Sequence, residues 1–242
     1  MAIPKTARVV DARMEGPDTR RLELCMDEPL GFVGGQYVIV DSGMLLPNGK
    51  AAKRAYSLVT ADAEQRRFEL TVKRIPGGLV SGYLHAIAVG AELRFSGPWG
   101  KLVPEPDASG PTFVLATDTG ISAALGLVQG QRFAPLLRET TLLWLRSCPE
   151  YFLPEALVRE RVPAGCAAVR VEPFLAIGHP ERVECARALL RAHVQQAGLP
   201  ARAFVTGDGA VNYALLDDLV AAAVPATRDH LESFFNLPKK SA

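Results

Sequence analysis

Apolar positions in the first hundred residues recur in short runs with a period of two. Phe68, Leu70 and Val72 alternate with Glu69, Thr71 and Lys73, the spacing of a strand with one buried face. Similar segments at Ala7–Arg13, Arg20–Met26, Gln36–Val40, Ala55–Thr60, Arg67–Arg74 and Glu92–Ser96 predict an antiparallel β-barrel. One helical stretch, roughly Leu79–Ala88, interrupts them after the glycine pair at 77 and 78. The segment Ser42–Lys53 reads as a strand connection or a docking loop. Residues 104–111, Pro-Glu-Pro-Asp-Ala-Ser-Gly-Pro, are rich in breakers and predict a domain boundary.

Beyond the boundary the period changes. Apolar strands at Thr112–Ala116, Thr141–Leu145, Ala168–Leu175 and Ala203–Thr206 alternate with helices near Ile121–Gln131, Glu155–Arg161, Pro180–Ala197 and Ala210–Ala222. That order predicts a parallel sheet covered on both faces, an α/β domain with ligand sites at the carboxyl ends of its strands. The loops after residues 116, 146, 175 and 206 are therefore the places to look for a site. The expected domains are 1–105 and 111–242.

Candidate chemistry concentrates in two segments of the first domain. Arg54-Ala55-Tyr56-Ser57 offers a guanidinium fork for a pyrophosphate, a ring to lie on an aromatic cofactor and a hydroxyl to bond a ring nitrogen. About twenty residues on, Gly77-Gly78-Leu79-Val80-Ser81 looks like a phosphate-cradling turn at a helix N-terminus. Each motif alone also fits an ordinary strand end or turn, and it is their order and spacing that point to one cofactor.

With R-x-Y-S followed by the glycine-serine loop, the chain resembles the ferredoxin–NADP reductase superfamily. The resemblance covers nearly the whole chain and weakens toward its C-terminus. It implies an FAD-binding front domain and a back domain that binds a pyridine nucleotide. It also implies cofactor contacts from Arg54, Ala55, Tyr56, Ser57, Val72, Gly77, Gly78, Leu79, Val80 and Ser81. Thr117, Thr119, Gly120 and Ile121 look like the family's nucleotide turn, but Asp118 stands at a usual glycine and Ala123 at the usual proline. A carboxylate at 118 either repels a bound pyrophosphate or points away as a turn or cap residue. Thr206-Gly207 resembles a late-strand Cys-Gly motif, with Asp208 beside it as a cofactor contact or an N-cap. Glu232 and Phe234 look like the terminal Glu-x-aromatic, with the glutamate at the nicotinamide and the ring over the flavin. Phe234 also fits as a staple onto the core, and the tail Asn236–Ala242 as a segment crossing the adenine. Ser57, Thr206 and Glu232 are thus the implied catalytic residues. Arg146, after the second strand of the back domain, and His179 and Arg182, after the third, favour NADPH over NADH.

Composition narrows the partners. The 242 residues are 48% hydrophobic and 22% charged, with 27 Lys and Arg against 26 Asp and Glu, so no overall field draws nucleic acid or an anionic membrane. Cys25, Cys148, Cys166 and Cys185 have no cluster or zinc spacing and are expected to be reduced, mostly buried thiols. No signal peptide or apolar span is evident, and a cytoplasmic protein is expected. The resemblance then implies a flavoenzyme that transfers hydride from NAD(P)H to FAD and passes electrons singly to a ferredoxin, a flavodoxin or an oxygenase component. The departures at Asp118, Ala123 and Thr206 leave open an FAD-binding electron-transfer subunit that no longer uses a pyridine nucleotide.

Overall fold

The computed structural model describes residues 3–227 and 230–236. Its first unit comprises β1 (Lys5–Gly16), β2 (Thr19–Cys25), β3 (Tyr37–Leu45), β4 (Ala51–Ser57), β5 (Arg67–Lys73), helix α1 (Leu79–Ala86) and β6 (Glu92–Trp99). The six strands pair antiparallel in the order β4-β3-β6-β1-β2-β5. Alternation works as the sequence predicts: Phe68, Leu70 and Val72 are fully buried, and with Val9, Leu22, Leu24, Val38 and Val40 they fill the interior.

The sheet curls like a barrel without a ladder between β4 and β5. Just past β4, the Val59 N–H donates to the Glu69 carbonyl at 3.1 Å. This leaves an open seam whose unpaired strand edges face a cavity. The strand expected at Ala55–Thr60 lies earlier, at 51–57, because a tight turn bonds Leu46 N–H to Lys50 C=O at 2.8 Å and pairs β4 with β3. Most of the segment 42–53 is therefore hairpin.

The second unit contains β7 (Thr112–Thr117), a 3-10 turn (Asp118–Gly120), α2 (Ile121–Val128), β8 (Thr140–Arg146), α3 (Glu155–Arg161), β9 (Ala168–Pro173), α4 (Arg182–Ala197), β10 (Arg202–Asp208), α5 (Gly209–Ala221) and β11 (Leu231–Phe235). Its sheet is parallel throughout, in the order β11-β10-β7-β8-β9. Trp144, Phe133 and Phe204 pack one face under α2 and α3, and Phe113, Leu143 and Val205 pack the other under α4 and α5. The periodicity did not indicate β11, whose five residues become a strand by pairing with β10. Cys148 is exposed and the other three cysteines are half-buried, so the expected burial of the thiols is not found. Among the described residues, no helix is long and apolar enough to cross a membrane.

The units meet backbone to backbone. A Cβ on Gly126 of α2 would lie 2.1 Å from the Leu58 carbonyl oxygen, and one on Gly34 would lie 2.6 Å from the Gly130 Cα. Only glycine permits such an approach. The buried Asp62 carboxylate bridges the same junction, accepting Gly34 N–H at 3.0 Å and Gln131 N–H at 2.9 Å. Further out, Arg161 of α3 pairs with Glu69 of β5 at 2.6 Å. Asp62→Ala strands the buried Gly34 N–H and the part-buried Gln131 N–H, and we expect a stability loss of about 2–4 kcal/mol in urea unfolding.

Candidate functional site at the barrel seam

A cavity of about 340 Å³ opens at the seam between β4 and β5. The end of β4 contributes Arg54, Ala55, Tyr56 and Ser57, and β5 contributes Thr71 and Lys73. Gly78, Leu79, Val80 and Ser81 border it at the N-terminus of α1, and Thr119, Ser122, Phe152, Phe234 and Phe235 close it from the second unit.

Local structure explains each contribution. Strand alternation turns Thr71 and Lys73 toward the cavity and sends Val72 into the core, where its carbonyl meets His85 Nε2 at 2.9 Å. Val72 itself does not line the cavity. Gly77, at φ +70°, turns the chain into α1 without lining the cavity. A Cβ on Gly78 would lie 2.6 Å from Ser81 Oγ and 3.1 Å from the Ile75 carbonyl oxygen, so a larger residue there would displace the Ser81 hydroxyl. The Ser81 hydroxyl accepts Ile75 N–H at 3.2 Å and donates to Gly78 C=O at 3.3 Å, holding the loop. No side chain caps α1, and its first N–H groups have no intrahelical acceptor. At the other end of the helix, Arg20 donates to the carbonyls of Leu84 and His85 at 3.0 and 2.6 Å.

Three groups are poised for a ligand. Arg54 donates to its neighbour's carbonyl, Lys53, at 2.7 Å and has no carboxylate partner among the described residues. The Ser57 hydroxyl is buried and has no hydrogen-bond partner among the described residues. Burial pushes the Tyr56 phenol up to about 12, so the ring stays neutral at ordinary pH. Anion-binding groups at one end and a ring with an orphaned hydroxyl at the other fit a flavin nucleotide. Unpaired buried hydroxyls are uncommon, and a ligand atom here would satisfy this one.

On the nucleotide side, most of the expected residues serve the protein itself. Asp118 is fully buried at φ +50°, and its Oδ1 accepts the Ser147 N–H at 2.9 Å and hydroxyl at 2.7 Å. Its Oδ2 accepts Arg182 Nη2, while Arg182 Nε donates to Asp208 Oδ2 at 2.9 Å. Asp118 thus points away from the turn, and Arg182, 3% exposed and held between two carboxylates, is not available to a 2′-phosphate. Arg146 is likewise buried, with its guanidinium 4.5 Å from the Trp144 ring centroid. His179 is exposed. Thr206 does not face the cavity: its hydroxyl donates to Gly120 C=O at 3.0 Å inside the sheet. Thr117 Oγ1 accepts Asp208 N–H at 2.7 Å, and Asp208 Oδ1 caps α5 at Ala210 N–H, 3.1 Å away. Gly207, at φ +114°, lets these strand ends touch, since a Cβ there would lie 2.3 Å from the Thr117 carbonyl oxygen.

At the C-terminal strand, Phe234 and Phe235 both reach the cavity; residues 237–242 of the expected tail lie outside the described residues. Glu232 sits opposite Thr206 in the ladder and does not line the cavity. Burial pushes its carboxyl up to about 7, and the Tyr37 phenol across the unit junction is raised by its own burial first and then by the Glu232 charge. Alternation did not flag Phe152 as a cavity residue, because it lies in a loop; the aromatic pair Tyr151-Phe152 was the available signal.

Comparison with known proteins agrees with this architecture. The structure superposes on the cytochrome b5 reductase domain of Ulva prolifera nitrate reductase with a TM-score of 0.70 and 16% identity, covering 96% of this chain and 97% of that one. The flavohem-like FAD/NAD binding domain of nitric oxide dioxygenase from Vibrio cholerae O1 biovar El Tor gives 0.67 and 14%, covering 95% and 97%. The fold is therefore that of two-unit flavin and nucleotide oxidoreductases. Residues 6–103 match the oxidoreductase FAD-binding domain family. Ferredoxin–NADP reductase B of Sorangium cellulosum (strain So ce56) is 31% identical over 200 residues, 81% of this chain and 79% of that protein. The reductase subunit of the aromatic O-demethylase of Amycolatopsis sp. (strain ATCC 39116 / 75iv2) is 35% identical over 129 residues, 51% of this chain but 37% of that protein. The chain belongs to the ferredoxin–NADP reductase superfamily, and its first unit is an FAD-binding domain.

Two outcomes follow from the buried charges. Asp118→Asn leaves Arg182 with Asp208 as its remaining buried anion, and we expect about 2 kcal/mol of destabilisation by chemical denaturation, below the range for a wholly unpaired charge. The folded Glu232 carboxyl holds its proton up to about 7, against 4.5 for an ordinary glutamate. Stability therefore falls as pH rises between those two values, and Glu232→Gln is expected to melt higher than wild type at pH 8 and equally at pH 4.

Proposed function

We propose that the chain is a reductase in which residues 1–105 hold FAD and 111–242 receive a pyridine nucleotide, with electrons leaving singly to a small carrier protein or an oxygenase component. The carrying observation is the seam cavity, where the Ser57 hydroxyl, without a hydrogen-bond partner among the described residues, lies beside Tyr56, the Arg54 fork and the N-terminus of α1. Arg54 and the N–H groups of Gly78 to Ser81 would hold the pyrophosphate, Tyr56 would lie on the ring, and Ser57 would hydrogen-bond it. FAD, when bound, supplies the chemistry, accepting two electrons together and releasing them one at a time. The protein supplies position and apolar surroundings: Phe234 and Phe235 line the cavity from the second unit.

The named relatives support an external acceptor, since one is a ferredoxin reductase and another a reductase subunit. A cytoplasmic setting remains our reading of the sequence. With Arg146 and Arg182 engaged inside the protein, neither arginine selects for a 2′-phosphate, and both NADH and NADPH belong in the test. Purified protein should be yellow, and one of the two nucleotides should bleach it rapidly without oxygen. Yellow protein that stays oxidised with both would identify an electron-transfer subunit instead, and protein that cannot take up FAD would overturn the reading. In Ser57→Ala, FAD should remain bound while stopped-flow reduction slows about tenfold, the value of one lost hydrogen bond of about 1.4 kcal/mol; an unchanged rate would remove Ser57 from the mechanism.

A further inference from the structure

We propose that the segment from Ser147 to Leu153, carried by the parallel sheet, completes the flavin pocket, with Phe152, buried in the core under α2 and α3, backing the wall against which FAD lies. This rests on the reading that the seam cavity takes the flavin. Phe152 lines that cavity together with Arg54, Tyr56 and Ser57, although it belongs to the other unit. It is 2% exposed and held at φ +68°, a left-handed conformation that a phenylalanine keeps only where its surroundings impose it.

The segment is tied at both ends. Ser147 is fixed by two hydrogen bonds to Asp118, and Leu153 C=O accepts Arg146 Nη2 at 3.3 Å. In between, the Tyr151 ring lies 4.3 Å from the Lys73 ammonium, which also pairs with Asp18. A cation over an aromatic face is attractive, and burial keeps the Tyr151 phenol neutral by pushing it upward. The Phe152 carbonyl oxygen packs against Gly16 of β1, where an added Cβ would sit 3.4 Å away. The loop is thereby pinned onto the barrel at the cavity wall, with the Phe152 side chain packed into the core behind it. A flavin ring needs apolar and aromatic walls, and this segment supplies one that neither β4 nor α1 provides.

The test compares FAD binding to wild type and Phe152→Leu, a substitution that removes the ring while keeping apolar packing. FAD-free protein is titrated with FAD, and the induced visible circular dichroism of the bound flavin is recorded with the unfolding midpoint of the FAD-free form. We expect FAD to dissociate roughly five- to tenfold more readily and the visible dichroism to change shape. An unchanged dissociation constant and spectrum, with or without a lower midpoint, would show that Phe152 is core packing alone and overturn the inference. Should that variant not fold, Tyr151→Leu, which removes the Lys73 contact, is expected to change the same two signals; a wild-type response from it overturns the inference equally. Failure of wild type itself to bind FAD would instead overturn the flavin reading on which this depends.

Discussion

The structure depends on how closely two backbones can approach. Gly126 lies against the Leu58 carbonyl, Gly34 against Gly130, and Gly35 against the Leu102 carbonyl, where a Cβ would be 1.9 Å from the oxygen. These contacts bring α2 onto the loops beside the barrel seam and so carry Thr119, Ser122 and the C-terminal phenylalanines to its mouth. Close contact between polar backbones is tolerated only if their donors are answered, and Asp62 answers one from each side. The cavity is therefore completed at the junction: the first unit supplies most of its lining and the second closes it.

A second constraint operates at the carboxyl ends of the parallel strands. Asp118, Arg182 and Asp208 join the 3-10 turn after β7, α4 and β10 through one buried guanidinium, which also stacks 4.1 Å from the Phe174 ring centroid. Burying three charges is costly, and such a cluster contributes more to a defined arrangement than to net stability. Here the arrangement has a consequence for chemistry: the turn between β7 and α2 is held rigid, and its carboxylate faces inward. The cavity side of that turn thus presents Thr119 and Ser122, while the Asp118 charge is held inside by Arg182.

The seam cavity combines a polar end and an apolar end for separate physical reasons. Its anion-binding end comes from an uncapped helix whose loop is held by Ser81 and whose far end is anchored by Arg20. The aromatic end comes from three different places in the chain, Tyr56, Phe152 and Phe234 with Phe235. Barrel curvature supplies the first, and the junction between units supplies the rest.

Much of the fold was legible locally. Alternation gave the strands, glycine and proline marked the turns, and the R-x-Y-S and glycine-serine motifs lie on one cavity wall because strand edge and helix end are local geometries. The sequence by itself determined this order of elements and the flavin-side candidates, through periodicity and turn chemistry. Tertiary structure alone decided which charges are free. Asp118 and Arg182 are 64 residues apart, and Thr206 finds the Gly120 carbonyl across 86, so nothing near any of them in the chain shows that their polar atoms are already occupied. The same holds for β11, a strand only beside β10, and for Phe152, which enters the cavity only once the two units have packed.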